Sequence, residues 1–312
     1  MSNELIKSQI EFRRNELLHY APTSFFRNNS EKSFEYFVKN DILSKAEGGE
    51  GEIYSVDIEG HTYNFFYEFL KWDSEFFKMP TLKLTYILFG ETNYAKLLKA
   101  ISAFKENVVK SNYIFIEIPS EDIFVIQALN ESLFRLVETR MTYYLDLNKF
   151  TNNRYAVREA QESDIINLKK VSSEMVNPFD RFHADVCLDP VIADSFLGVF
   201  AEESVKGFAD YVMVPNEEGV PADSFLTAKY YQSWWDNIDL KVSKMVLSAV
   251  SSKTNQGWYV KLISEMAYHL REQGAEFALM HPASTNKAVI HSYEKLGCKL
   301  GKVSHILTYK LR

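Results

Sequence analysis

Apolar and polar positions change their period along this chain, and the changes mark its elements. Residues 1 to 20 carry apolar side chains at helical spacing. The runs "TLKLTYILF" (81–89), "NYIFIEIP" (112–119) and "LVETRMTYYLDL" (136–147) predict strands, the last as a pair or one long strand. Helices are predicted from about Tyr94 to Lys110 and around "DIFVIQALNESLF" (122–134). Phe, Tyr and Trp crowd residues 61 to 77, the pattern of an aromatic core. The polar run "NKFTNNRY" (148–155) reads as the best linker, which divides the chain into domains 1–150 and 151–312.

Beyond that run the pattern predicts a strand at "YAVREA", a helix at "QESDIINLKKVSSEM", and a Pro- and Asp-rich segment from Asn177 to Pro190. A helix from about Val191 to Glu203 follows, then strands at "GFADYVMV", "SFLTAKYY" and "KMVLSAV". A helix from about Gln256 to Gln273, a strand at "EFALMH", a short helix and a strand at "VSHILTYKL" close the chain. Strands and helices mixed in this way predict an α/β fold on a mixed sheet.

The two halves repeat. "YIFIEIPSEDIFVIQALNESLFRLVETRMTYYLDL" and "FALMHPASTNKAVIHSYEKLGCKLGKVSHILTYKL" share strand, proline, helix, a Glu-x-Leu near the helix end and a closing strand. Glu131 faces Glu294 and Leu133 faces Leu296, but Asn130 stands opposite Tyr293 and Phe134 opposite Gly297. The first half is therefore expected to be a degenerate copy without chemistry.

Composition narrows the function classes. With 312 residues, 46% of them hydrophobic, the chain can bury two cores. A formal net charge of −7 and the lack of any long basic block exclude sequence-independent nucleic-acid binding. Cys187 and Cys298 have no CxxC spacing and the seven histidines no HxxxH pair, so neither a disulfide framework nor a metal site is expected. No run of 18 apolar residues occurs and the N-terminus is charged and amphipathic, so the expectation is a soluble, cytoplasmic protein that does not engage a membrane.

Two stretches carry candidate chemistry. In "VLSAVSSKTNQGWYVKLISEMAYHL" an apolar strand ending at Ala249 and Val250 runs into Thr254, Asn255, Gln256 and Gly257, and a helix begins at Trp258 and Tyr259. Unpaired N–H groups at such a helix start, aided by the helix dipole, form a cradle for a pyrophosphate. In "HPASTNKAVIHSYEKLGCKLG", Asn286 and Tyr293 are close to two helical turns apart and so share a helix face, with Gly297 as the C-terminal cap. Taken alone, that pair also fits a capping asparagine and a core aromatic.

The order of these elements resembles the GCN5-related N-acetyltransferase (GNAT) superfamily. The resemblance implies acyl-CoA as co-substrate and no covalently bound cofactor, with Asn286 on the pantetheine arm and Tyr293 protonating the departing thiolate. It also implies a backbone N–H near Ala249 or Val250 polarising the thioester carbonyl. The superfamily's acyl-CoA signature falls on Thr254, Gly257 and Tyr259, and only Gly257 conforms. A narrower similarity, to TDP-fucosamine acetyltransferase-like enzymes, lies in residues 177 to 207, on Arg181, Phe182, Asp185, Ala193, Asp194, Ser204 and Gly207, and in Trp72, Asp73, Phe76 and Phe77.

That second similarity implies a nucleotide-linked (dTDP) amino-deoxysugar as acceptor, in polysaccharide or O-antigen biosynthesis, and a possible homodimer. Arg181 would meet a phosphate, Phe182 an apolar sugar face, and His183 or Asp185 the sugar's polar groups, with His183 or Asp185 as base. The transferred group would be acetyl or larger, such as hydroxybutyryl, in direct attack within a ternary complex. A Cys187 acyl-enzyme is the less favoured route. Two other readings stay open: a GNAT acting on another small-molecule or protein amine, and a catalytically silent GNAT-like scaffold.

Overall fold

Strands form where the alternation is strictest. The computed structural model describes residues 3–175 and 177–311, so Met1 and Ser2 of the N-terminal helical pattern lie outside the described residues. Eleven strands occur in them: β1 (Glu52–Ile58), β2 (His61–Phe69), β3 (Thr81–Leu88), β4 (Tyr113–Pro119), β5 (Arg135–Asp146), β6 (Val157–Glu159), β7 (Tyr211–Pro215), β8 (Ser224–Lys229), β9 (Val242–Val250), β10 (Phe277–Met280) and β11 (Lys299–Tyr309). The chain divides into two units, Met1–Arg140 with Lys302–Arg312, and Met141–Gly301.

In the first unit the strands lie in the order β1-β2-β3-β4-β11-β5. β1 and β2 form a hairpin whose turn residues Glu59 and Gly60 both have positive φ, 53° and 81°, as a tight hairpin turn requires. The aromatic run then divides between two faces because neighbouring strand residues point oppositely. Phe65 stacks on Phe104 at 4.6 Å, beneath the helices Tyr94–Phe104 and Ile123–Glu131. Phe66 joins Ile6 and Ile10 of the N-terminal helix and Phe34, Val38 and Ile42 on the other face. The aromatic-core expectation holds for Tyr63, Phe65 and Phe66, all fully buried, and fails farther along, where Phe69 and Trp72 are exposed.

β3 and β4 run parallel but pair only from Thr81 with Tyr113 to Lys83 with Phe115, after which they part. β11 lies antiparallel to β4, Ser304 opposite Pro119 and Tyr309 opposite Ile114. The closing strand of the second repeat is thus part of the first unit, whereas the end of β5 pairs with β10 in the second.

The second unit orders its strands β5-β10-β9-β8-β7-β6. Leu262, Met266 and Leu270, four apart on the helix Trp258–Glu272, pack on Met213, Leu226, Met245 and Met280. On the opposite face Leu168, Val171 and Ala201, from the helices Ile165–Glu174 and Pro190–Glu203, cover Val212, Val214 and Phe225.

The polar run 148–155 lies inside this unit and is held, not free. The Asn152 N–H donates to the Tyr268 hydroxyl at 2.7 Å, and the Arg154 guanidinium and Tyr155 N–H both bond the Glu265 carboxylate. Glu265 is buried, so its charge needs these donors, and a run that looks solvated in sequence is recruited to supply them.

Leu307 of β11 is buried in the first unit's core opposite Ile116. Leu307→Ala is expected to cost about 2–5 kcal/mol, read from the urea midpoint. In hydrogen exchange the loss of protection should appear first in β4.

Candidate active site

In the second unit, too, a gap opens between parallel strands. β9 and β10 pair from Val242 with Phe277 to Lys244 with Leu279 and then separate, while β9 continues to Val250 on β8 alone. The loop 251–257 leaves this strand end and turns into the helix Trp258–Glu272 through Gly257, whose φ of +82° is left-handed. A Cβ there meets open space, so what glycine supplies is the backbone angle.

The loop is braced by its own side chains. Thr254 donates to Asp223, and the Asn255 amide donates to Pro221 O and Ser224 Oγ, each at 3.0 Å. Gln256 is exposed and bonds Ser252 O. No side chain caps the helix start; the Trp258 N–H bonds Asn255 O at 3.1 Å, which leaves the first-turn N–H groups after it for a ligand anion. The Trp258 indole is buried beneath the Lys261 ammonium, 4.4 Å away, and belongs to the core. The Trp258 N–H is held by Asn255 O, and Asn255 spends its amide and its N–H on the loop, so the backbone donors of both residues expected at the cofactor are committed within the fold.

Asn286 and Tyr293 lie on one helix, Lys287–Lys295 with Asn286 as its cap. The Asn286 side chain accepts from Val289 N at 3.3 Å, so its carbonyl is committed to capping. The Tyr293 ring is buried among Tyr143, Tyr259 and Cys298. Its hydroxyl accepts from the Tyr259 hydroxyl at 2.9 Å. Burial holds the Tyr293 phenol well above the usual tyrosine range and pushes Tyr259 up to about 12, so both stay protonated at neutral pH. Ser248, near the end of β9, is a further hydrogen-bond neighbour of Tyr259. The Cys298 thiol, pushed up to about 12 by burial, is no nucleophile.

Sequence reasoning did not find the Tyr259 contact. The signal available was its departure from the superfamily signature, which places a small residue where this chain has a ring. Ala249 and Val250 lie at the end of β9, opposite Phe225 and Ser224 of β8.

Arg181, Phe182 and His183 sit together on a four-residue helix, Arg181–Ala184, with the Arg181 guanidinium 4.3 Å over the Phe182 ring. That ring also packs on Phe196, 4.4 Å between centroids. His183 Nδ1 is 2.8 Å from Asp180 and Nε2 is 3.1 Å from Asp194. Both ring nitrogens face carboxylates, so His183, the expected base, is held between Asp180 and Asp194. Asp185 is 2% exposed and accepts from Cys187 N at 2.9 Å. That carboxylate is enclosed, Arg181 and Phe182 are half-buried, and Phe179 and Val186 are the exposed large apolar side chains of the segment.

Among the described residues there is no cluster of His, Cys, Asp and Glu fit to hold a metal ion, and no helix long and apolar enough to cross a membrane. By sequence the chain matches no protein-family model and no curated protein. By structure it is similar to a GCN5-related N-acetyltransferase from Sphaerobacter thermophilus, with a TM-score of 0.59 and 8% identity over 96% of this chain and 94% of that one. The chain has the GNAT fold. A tandem GNAT protein from the clavulanic acid biosynthesis pathway matches over 99% of this chain and 95% of its own, at TM-score 0.50 and 10% identity. A GCN5-related glucosamine N-acetyltransferase region of a fungal GH3 β-N-acetylglucosaminidase covers 80% of this chain and 31% of that one, at TM-score 0.52 and 10% identity. The expected tandem architecture, a GNAT fold preceded by a GNAT-like unit, therefore holds for the whole chain.

The buried phenols have a measurable signature. An unfolded tyrosine titrates near 10 and folded Tyr259 at about 12, so above pH ~10 the unfolded chain releases protons that the fold retains. Stability is expected to fall from pH ~10 upward, and Tyr259→Phe should flatten that fall in urea melts at pH 9 to 11.

Proposed function

We propose that the chain is an acyl-CoA-dependent N-acyltransferase whose chemistry lies in the second unit. The observation that carries this reading is the Tyr293 phenol, kept neutral beside the opening between β9 and β10 and next to an uncapped helix start that suits a pyrophosphate. The pyrophosphate of acyl-CoA would lie on the N–H groups beyond Gly257, with the pantetheine arm between the parted strands. A backbone N–H near Ala249 or Val250 would polarise the thioester carbonyl.

The acceptor's neutral amine, its first proton having left to water, then attacks the thioester carbon, and the second proton that the nitrogen sheds on becoming an amide also leaves through water, which later reprotonates Tyr293. As the C–S bond breaks, sulfur takes the electron pair and Tyr293 gives it a proton. The Tyr259 hydroxyl, donating to the same oxygen, steadies the phenolate that this leaves. Tyr259 thus turns a departure from the superfamily signature into a positioning residue.

For the acceptor, the amino group of a nucleotide-linked amino-deoxysugar is the class we favour. Support comes from Arg181 and Phe182 standing together as a cation and an apolar ring, and from the amino-sugar activity in the description of the fungal region. A short acyl group, acetyl first, and a cytoplasmic, homodimeric enzyme complete the reading.

The test is free-thiol release from acetyl- and hydroxybutyryl-CoA with and without TDP-linked amino sugars. Release that requires one sugar nucleotide is expected, whereas release with simple amines alone would retire the sugar. No release and no coenzyme A binding by calorimetry would leave a silent scaffold. Tyr293→Phe is expected to lower kcat about 10²-fold with little change in coenzyme A affinity. Tyr259→Phe should lower kcat about tenfold and move the alkaline limb of its pH profile, which a purely structural role would not do.

A further inference from the structure

The first unit has the same parting of parallel strands, and there the gap is filled differently. The Arg13 guanidinium donates both to Ile87 O on β3 and to Asp122 just beyond β4, and the Tyr20 hydroxyl donates to Asp122 at 2.7 Å. Arg13 and Asp122 are both essentially buried, so this pair closes one end of the gap. Asn93 meanwhile caps the following helix by accepting from Lys96 N at 3.1 Å, which occupies the place of an anion cradle. Beside the Arg13–Asp122 pair lies a cavity of about 160 Å³, lined by Phe12, Glu16, Phe89, Thr92 and Phe124.

A further cavity of about 190 Å³ has Tyr20, Lys83 of β3, Glu117 of β4, and Lys302 and Ser304 of β11 in its wall. The charges around it do not balance. Glu117 is already paired with Arg140 at 3.0 Å. Lys302 donates to His19 O at 2.9 Å and Ala21 O at 3.4 Å, neutral acceptors that leave one N–H over. Lys83 has no hydrogen-bond or ion-pair partner among the described residues, and the Ser304 hydroxyl has none either. Two ammonium groups therefore face a common space in which the one carboxylate in the wall, Glu117, is shared with Arg140 and neither lysine has an ion pair among the described residues. Leu84, Tyr86 and Pro119 supply apolar wall beside them.

We propose that this cavity binds a small dicarboxylate, one carboxylate on Lys83 and the other on Lys302 and Ser304, with its short carbon stem on the apolar wall. Charge-assisted bonds in a half-enclosed site are the strong kind, and two ammonium groups apart select an anion with charge at both ends over a compact one. The first unit would then sense or hold a small acid, a role that stands whether or not the second unit transfers acyl groups.

The test is isothermal titration of the full chain with glutarate, with inorganic phosphate and acetyl-CoA as competitors. Glutarate binding that acetyl-CoA does not displace, that survives in Tyr293→Phe, and that weakens at least about tenfold in Lys83→Met is the expected result. Lys302→Met should weaken it likewise, but that change also strips two backbone carbonyls of a donor. Lys83→Met, whose ammonium supports nothing else in the fold, is therefore the deciding variant, its melting point checked against wild type. No glutarate binding, equal binding in Lys83→Met, or preference for phosphate would each overturn the proposal.

Discussion

Two parallel strands that stay hydrogen-bonded for three residue pairs and then separate are the constraint on which the rest of each unit depends. A parting leaves backbone groups without partners on facing edges, and burial makes that costly unless something else enters. In the first unit a cation from the N-terminal helix enters, bonding Ile87 O and Asp122. In the second, two tyrosines approach from the helices on either side of β10 and meet hydroxyl to hydroxyl. The two units thus differ in chemistry, a buried ion pair in the first and a pair of neutral phenols in the second.

Much of the fold was legible. Alternation located β3, β4, β5 and the long helix Trp258–Glu272 within a few residues, because each buries one face against a core and periodicity reports that burial. The repeat was legible for the same reason, since its strand, helix and strand carry matching patterns. What pairing the strands would adopt was not written in either pattern. The end of β5 and most of β11 read as closing strands of their own halves, yet each pairs in the other unit, and alternation marks which face is apolar without saying which neighbour lies alongside. The run 148–155 was misread because polarity was taken for solvation, whereas Glu265 and Tyr268 make those polar groups part of the packed unit.

The candidate site was legible in position more than in role. Gly257 was found because only its neighbourhood combines a strand end, polar residues and a helix start, and its left-handed φ supplies the reason for glycine. Trp258 and Asn255 stand where expected but face inward, a matter of side-chain direction that spacing does not encode. His183 was chosen for its chemistry alone, and Asp180 and Asp194, near it in the fold, decide what that chemistry can do. Tyr259 shows the opposite case, a residue whose misfit to a signature was its most informative property.

The last strand of the chain belongs to the unit that begins it, and this orders events during synthesis. While residues after Gly301 are still inside the ribosome, β4 has no β11 at its side, although every other residue of the first unit has already emerged. An open edge of Tyr113–Pro119, rich in Ile and Phe, is a template for foreign strands. The first unit must therefore wait, incomplete, for the whole of the second to be made. For such a topology the emergence of Lys299–Tyr309 is the step at which a chaperone holding the N-terminal half would let go.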